Sequence, residues 1–289
     1  MRCVKLARII GALLLAAALG SCSAVKLAYN NLPEVSYWWL DGYLDFNGSQ
    51  SLRVRDELTQ LLDWHRRNEL PKIAVLLRQA ESLASADVTP AQTCDMVDAI
   101  RSRLLAVAEQ AEPAGAQLAV SLDEAQLKLL ERKYAKLNDD YRKAWLDRSR
   151  ARQLEKRYDE FLDRAEDFYG RLDADQRELL RQQVAESTFD PRAIDAERKR
   201  RQQEALALLR RFNAERTPPA EARDAIHAYV LRIADPPPGP WRDRQQALLQ
   251  EGCRNVATLH NRTTTDQREQ AAKRLQGYES DVRQLVAVR

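Results

Sequence analysis

Residues 123–169 read DEAQLKLLERKYAKLNDDYRKAWLDRSRARQLEKRYDEFLDRAEDFY, with no Gly and no Pro in the run. Leu127, Leu130, Tyr134, Leu137 and Tyr141 recur at alternating steps of three and four. Leu154, Tyr158, Phe161, Ala165 and Phe168 do the same. That spacing puts one apolar stripe on a helix, with the heptad-like pattern of a coiled coil. The register slips between the two halves, around Arg148, Arg150 and Arg152. An unbroken helix over 123–169 would be on the order of 70 Å long at 1.5 Å per residue. It competes with a bundle in which the run breaks near Ser149. We expect the long helix, packed in antiparallel hairpins with a bend at the slip.

The rest of the chain also reads as helix. Leu, Ala, Arg, Gln and Glu dominate the 289 residues, and only 9 are Gly. These are helix formers, and no long stretch alternates at period two as a strand would. The expected class is all-α, an elongated multi-helix bundle. Pro33 opens a segment ending near Phe46, and Asn47-Gly48-Ser49 is a turn. Helix is expected over 50–84 with a break near Pro71, then from Thr89 until Pro113 and Gly115 end it. Gly170 stops the long run. Later helices start after Asp173, at Asp190-Pro191 (to about Glu215), and at Thr217-Pro218-Pro219. Pro236-Pro237-Pro238-Gly239-Pro240 is a rigid connector, and two last helices cover about 241–260 and 266–286. Residues 33–289 read as one helical domain, with a possible division into two sub-bundles near 187–191.

Several helix starts share a motif. Val88-Thr89-Pro90-Ala91-Gln92 has Thr as cap, Pro next and Gln three residues on. Leu122-Asp123-Glu124-Ala125-Gln126 and Leu172-Asp173-Ala174-Asp175-Gln176 repeat it with Asp, and Thr264-Thr265-Asp266-Gln267 is a looser copy. Each is a capping box, in which cap and Gln side chains satisfy each other's backbone N–H. The pattern resembles the Leu-Thr-x-x-Gln motif of the Spy/CpxP family of periplasmic helical proteins. That resemblance implies helical hairpins that bind unfolded or signalling partners without ATP. It extends over about five residues per copy, and Asp replaces Thr in two of them.

The first 22 residues speak to compartment. Arg2, Lys5 and Arg8 precede an apolar or small run, Ile9–Leu19, and the segment ends Leu19-Gly20-Ser21-Cys22. The layout is a secretory signal, too short to span a bilayer, which takes roughly 20 apolar residues. Its end resembles a bacterial lipobox, implying cleavage before Cys22, a diacylglyceryl thioether on its sulfur and an acylated (palmitate-type) amine. Ser23 follows where Asp would favour inner-membrane retention in the enterobacterial scheme, so the expected site is the outer membrane, facing the periplasm. Residues 22–32 then form a lipid-anchored linker. Loss of residues 1–21 removes three cations and no acids, which cancels the formal charge of +3. A neutral body excludes a field that would draw anionic lipid or nucleic acid. From Cys22-Ser23-Ala24-Val25-Lys26-Leu27-Ala28-Tyr29-Asn30-Asn31-Leu32-Pro33 onward, the chain is similar to a proteobacterial lipoprotein family of unknown function. That similarity supplies no activity.

With Cys3 removed and Cys22 acylated, Cys94 and Cys253 remain. Two cysteines in an oxidising compartment predict a disulfide, closing a loop worth about 4–5 kcal/mol in the chain-entropy model. Trp38, Trp39 and Tyr43 have two readings. They form a surface for a partner or membrane interface, or a core face, since 39, 43 and 46 share one side of a helix. We expect core. His65, His227 and His260 are scattered, which predicts no metal site. No nucleophile elbow or phosphate loop is present, so no enzyme, cofactor, small-molecule substrate or nucleic-acid partner is expected. Arg198-Lys199-Arg200-Arg201 and the Arg-rich 142–157 read as solvated helix faces. The leading expectation is a non-catalytic lipoprotein whose helical surfaces bind envelope proteins or polypeptides, as a chaperone or adaptor. The alternative is a structural factor linking the outer membrane to cell-wall or lipid components.

Overall fold

The computed structural model describes residues 26–287, and among these residues there is helix and no strand. Cys22 and the signal segment lie outside the described residues. After a helical turn at 26–30, the helices are α1 (Leu32–Leu44), α2 (Gly48–Asn68), α3 (Leu70–Ala84), α4 (Pro90–Val120) and α5 (Glu124–Tyr141). There follow α6 (Arg150–Tyr169), α7 (Ala174–Glu186), α8 (Pro191–Glu215), α9 (Pro219–Ala234), α10 (Pro240–His260) and α11 (Thr265–Ala287). No helix is long and apolar enough to cross a membrane among the described residues.

The all-α expectation holds, but three local readings are corrected. The 123–169 run is not one helix. A π-helical turn at Arg142–Leu146 unwinds it, and Ser149 caps the second half by accepting the Arg152 N–H at 3.4 Å. The apolar stripe slips there because the chain wraps the α7–α8 connection. Trp145 packs on Phe189, with ring centroids 5.3 Å apart, and the Tyr141 hydroxyl donates to the Pro191 carbonyl. Pro113 and Gly115 do not end α4, which runs through both to Val120. Pro113 is exposed, so water can satisfy the carbonyl that a proline one turn later leaves unbonded. The 22–32 linker is helical over 26–30 and docked where described. The Tyr29 hydroxyl meets His65 Nδ1 at 2.9 Å, and Arg66 donates to Asn30 Oδ1. The expected break near Pro71 is present, at Glu69, with Pro71 inside the first turn of α3.

The core is divided into three. The first joins α1, α2, α5 and α8 through Tyr37, Leu44, Val54, Leu127, Leu130 and Leu206. The second joins α3, α6, α7, α10 and α11 through Ala84, Tyr169, Leu172, Leu180, Leu259 and Leu275. A smaller one ties α4, α8 and α9 through Ala116, Ala119, Phe212 and Ala222. Cys94 on α4 and Cys253 on α10 are disulfide-bonded, with Cα atoms 5.4 Å apart, so the expected bridge is present and ties α4 to a helix of the second core.

Candidate binding surface and the paired helix starts

The expected capping boxes form at Thr89/Gln92, Asp123/Gln126, Asp173/Gln176 and Thr264/Gln267. A fifth was missed. Phe46-Asn47-Gly48-Ser49-Gln50 is not merely a turn: Asn47 caps α2 and exchanges bonds with Gln50 at 3.1 and 3.0 Å. Asn followed three residues later by Gln carried the signal.

Four of the glutamines have a second role that spacing does not show. Gln50 and Gln126 exchange side-chain amide bonds of 3.2 and 2.8 Å, and Gln176 and Gln267 do so at 2.7 and 2.9 Å. Each also reaches the loop before its partner helix. Gln50 donates to Ser121 O and Gln126 to Asp45 O. Gln176 donates to Arg262 O and Gln267 to Arg171 O. All four side chains are buried. For Gln176 and Gln267, both amide protons and both oxygen lone pairs are used, the full capacity of the group. Two hairpin ends therefore lock head to head in each half of the molecule.

The aromatic cluster of α1 divides. Tyr37 and Leu44 are buried and Tyr43 is half-buried, but Trp38 and Trp39 are 63% and 62% exposed. The core reading of these tryptophans is thus corrected. The helix ends at Leu44, and Asp45 turns left-handed (φ 50°). Phe46 therefore lies beyond the helix, and the face that packs is 37, 40 and 44. With Leu32 at 43% and Val35 at 61% exposed, the tryptophans make an apolar stripe on the opposite side. The Arg55 guanidinium lies 3.6 Å over the Tyr37 ring and 5.4 Å from that of Trp38. The Trp39 ring rests 4.9 Å from that of Tyr43.

Beside this stripe are two adjoining cavities, the first lined in part by Arg53, Glu57, Asp63 and Arg67 and the second without charged side chains. One, of about 490 Å³, lies between α2 and α4, walled by Val54, Leu58, Leu61, Trp64, Ala111 and Ala114. The other, of about 410 Å³, runs from Trp39 and Tyr43 to Tyr134, Leu137 and Ile226. Leu40, Gly115 and Leu118 line both.

The histidines are not gathered. His65 meets Tyr29, His227 Nδ1 meets the buried Glu112 at 2.8 Å, and His260 is buried against Tyr169 and the Ala86 carbonyl. Burial keeps His65 and His260 below the usual imidazole range and pushes the Tyr169 hydroxyl up to about 12. Among the described residues no three His, Cys, Asp or Glu are placed to hold a metal ion. The basic run on α8 is neutralised locally: Lys199 by Asp195, Arg200 by Glu197 and Glu204, and Arg201 by Glu197, each at 2.7 Å.

The profile of a family of unknown function (DUF6279) matches residues 42–219. The matched span takes in the whole Gln50–Gln126 pairing but only Gln176 of the second. No curated protein and no solved structure matches.

Proposed function

The chain belongs to the DUF6279 family of unknown function, and on that premise we propose a non-catalytic protein that binds envelope proteins or polypeptides through exposed helical surfaces. The observation that carries this reading is the stripe of Leu32, Val35, Trp38 and Trp39 on α1. Contiguous apolar surface of this kind marks interaction sites, and tryptophan is enriched among residues that anchor partners. The lipobox-like end at Cys22, followed by Ser23 rather than Asp, supports attachment to the outer membrane with the body in the periplasm. The paired boxes support kinship with helical hairpin chaperones of the Spy/CpxP kind, at the level of the motif.

In-cell crosslinking from position 38 or 39, followed by mass spectrometry, tests the reading. One or a few envelope polypeptides should be captured, and the purified mature chain should suppress aggregation of an unfolded client. Trp38→Ala/Trp39→Ala should lose both effects while folding normally. Wild-type and doubly substituted chains that behave alike would refute it. Labelling by a palmitate analogue, abolished in Cys22→Ala, checks the anchor separately.

A further inference from the structure

We propose that the outward face of α1 rests in the head-group interface of the bilayer that holds the anchor, and that a polypeptide reaches the tryptophan stripe by displacing that bilayer. The inference rests on the anchor and the stripe of the proposed function and supplies their regulation.

The face is longer than the stripe. Leu27 and Ala28 in the helical turn are exposed, as are Asn31 and Gly42. Backbone bonds from the Asn31 N–H to the Leu27 carbonyl and from the Val35 N–H to the Asn31 carbonyl carry the helical pattern across the join. At 3.6 residues per turn these positions fall with Leu32, Val35, Trp38 and Trp39 within about 140° of one side, and at 1.5 Å per residue the face is about 22 Å long. None of these residues is charged. Asn31 is the one polar side chain, and its amide folds back to donate to the Leu27 carbonyl at 2.7 Å. The two acids of α1 stand at the edge and are engaged elsewhere. Glu34 pairs with Arg55, and Asp41 accepts the Phe46 N–H at 2.9 Å. A helix on a water-facing surface ordinarily turns charged and polar residues away from its core face. Here the side opposite Tyr37 and Leu44 is apolar as well.

The length of chain before this face selects its cover. Leu27 lies five residues after Cys22, and five residues span at most about 18 Å. An acylated Cys22 therefore holds the start of the face within that distance of the membrane. So short a tether gives a local concentration in the millimolar range or above, which a soluble partner does not match. Tryptophan is favoured at the membrane–water boundary, and a helix lying there sinks its apolar side by about 5–10 Å. Without the signal segment the body is neutral, so apolar contact, not charge, holds the face in place.

The test couples the mature chain through Cys22 to a maleimide phospholipid in vesicles of phosphatidylethanolamine and phosphatidylglycerol, which makes the result independent of acylation in cells. Cys94 and Cys253 are bonded to each other and stay out of the coupling. Lipid brominated near the head group should quench tryptophan emission. Trp38→Phe/Trp39→Phe should lose most of that quenching, since Trp64, Trp145 and Trp241 are more covered. Leu32→Glu/Val35→Glu, at two exposed positions, should reduce it several-fold with an unchanged Tm. Client aggregation should be suppressed several-fold less by the coupled chain than by the uncoupled one. No quenching in the coupled parent, or equal quenching in Leu32→Glu/Val35→Glu, overturns the proposal, as does equal suppression by coupled and uncoupled chains. Absent quenching with self-association that Leu32→Glu/Val35→Glu abolishes assigns the face to a second copy and overturns it too. An uncoupled chain that suppresses no aggregation refutes the polypeptide reading instead, and quenching then decides the bilayer contact by itself.

Discussion

Gln176 and Gln267, 91 residues apart, form a closed pair of amide hydrogen bonds in which each residue also completes the other's helix start. The local box at Asp173 is thereby tied to a distant one, and the same holds for Gln50 and Gln126. Helix initiation and tertiary assembly are one event at these two places.

Removing one glutamine leaves its partner's buried amide unmatched. Gln176→Ala should cost about 2–4 kcal/mol, from one lost cap and one orphaned polar group. A Gln176→Ala/Gln267→Ala cycle, read by urea unfolding, should return a coupling of about 0.5–3 kcal/mol. Additive single effects would mean that the pair contributes nothing beyond two separate caps.

The two sides of α1 should respond differently. Tyr37→Ala removes a buried ring and should cost about 3–5 kcal/mol. Trp38→Ala and Trp39→Ala should change stability by no more than about 0.5 kcal/mol, as exposed substitutions do. Thermal unfolding of the three variants decides this, and a large loss at either tryptophan would return it to the core.

The Cys94–Cys253 bridge spans 159 residues. Its loss should lower stability by about 5 kcal/mol in the chain-entropy model, measured by unfolding Cys94→Ser/Cys253→Ser against the oxidised parent. Alkylation of both thiols without reductant would show that the bridge does not form.

Acid should weaken the second core through His260. Its Nε2 faces the Ala86 carbonyl, so Nε2 carries the proton and Nδ1 accepts from the Tyr169 hydroxyl. Arg268 and Asp87 are the charges nearby, and burial is the main cause of the lowered pKa. The unfolded chain takes up a proton near pH 6.5, and the folded chain only at lower pH. Stability is therefore full above about 6.5 and falls as pH drops toward the folded value. His260→Gln should flatten that slope as pH falls below about 6.5. Depressed carboxylates such as Glu166 and Glu197 act lower still, as it falls under about 4.5. A slope unchanged in His260→Gln would place the proton uptake elsewhere, with His65 the next candidate.

Helix starts were legible because their signals are local. Thr89, Asp123, Asp173, Pro191, Pro219 and Pro240 each mark a boundary with side chain or ring alone. The glutamine pairing was not, since residues 76 or 91 positions apart carry no mark of meeting. Pro113 misled because a proline can stay in a helix when its surroundings are wet. The tryptophans misled because a left-handed residue at Asp45 removed Phe46 from the helical face that periodicity had assumed. The cavities were invisible in advance: Ala111 and Ala114 read as ordinary small residues, and Gly115 as a helix end, until α1 and α2 are set opposite them.

The bridge has a consequence for timing. Ribosomes add roughly 5–20 residues per second, so Cys94 emerges about 8–30 s before its correct mate. Cys22 stands upstream of it the whole time. If residues 1–21 are removed and Cys22 is acylated as proposed, the fatty thioether retires the one other cysteine thiol, so blocking acylation should yield wrongly joined 22–94 species, detectable by peptide mapping under non-reducing conditions.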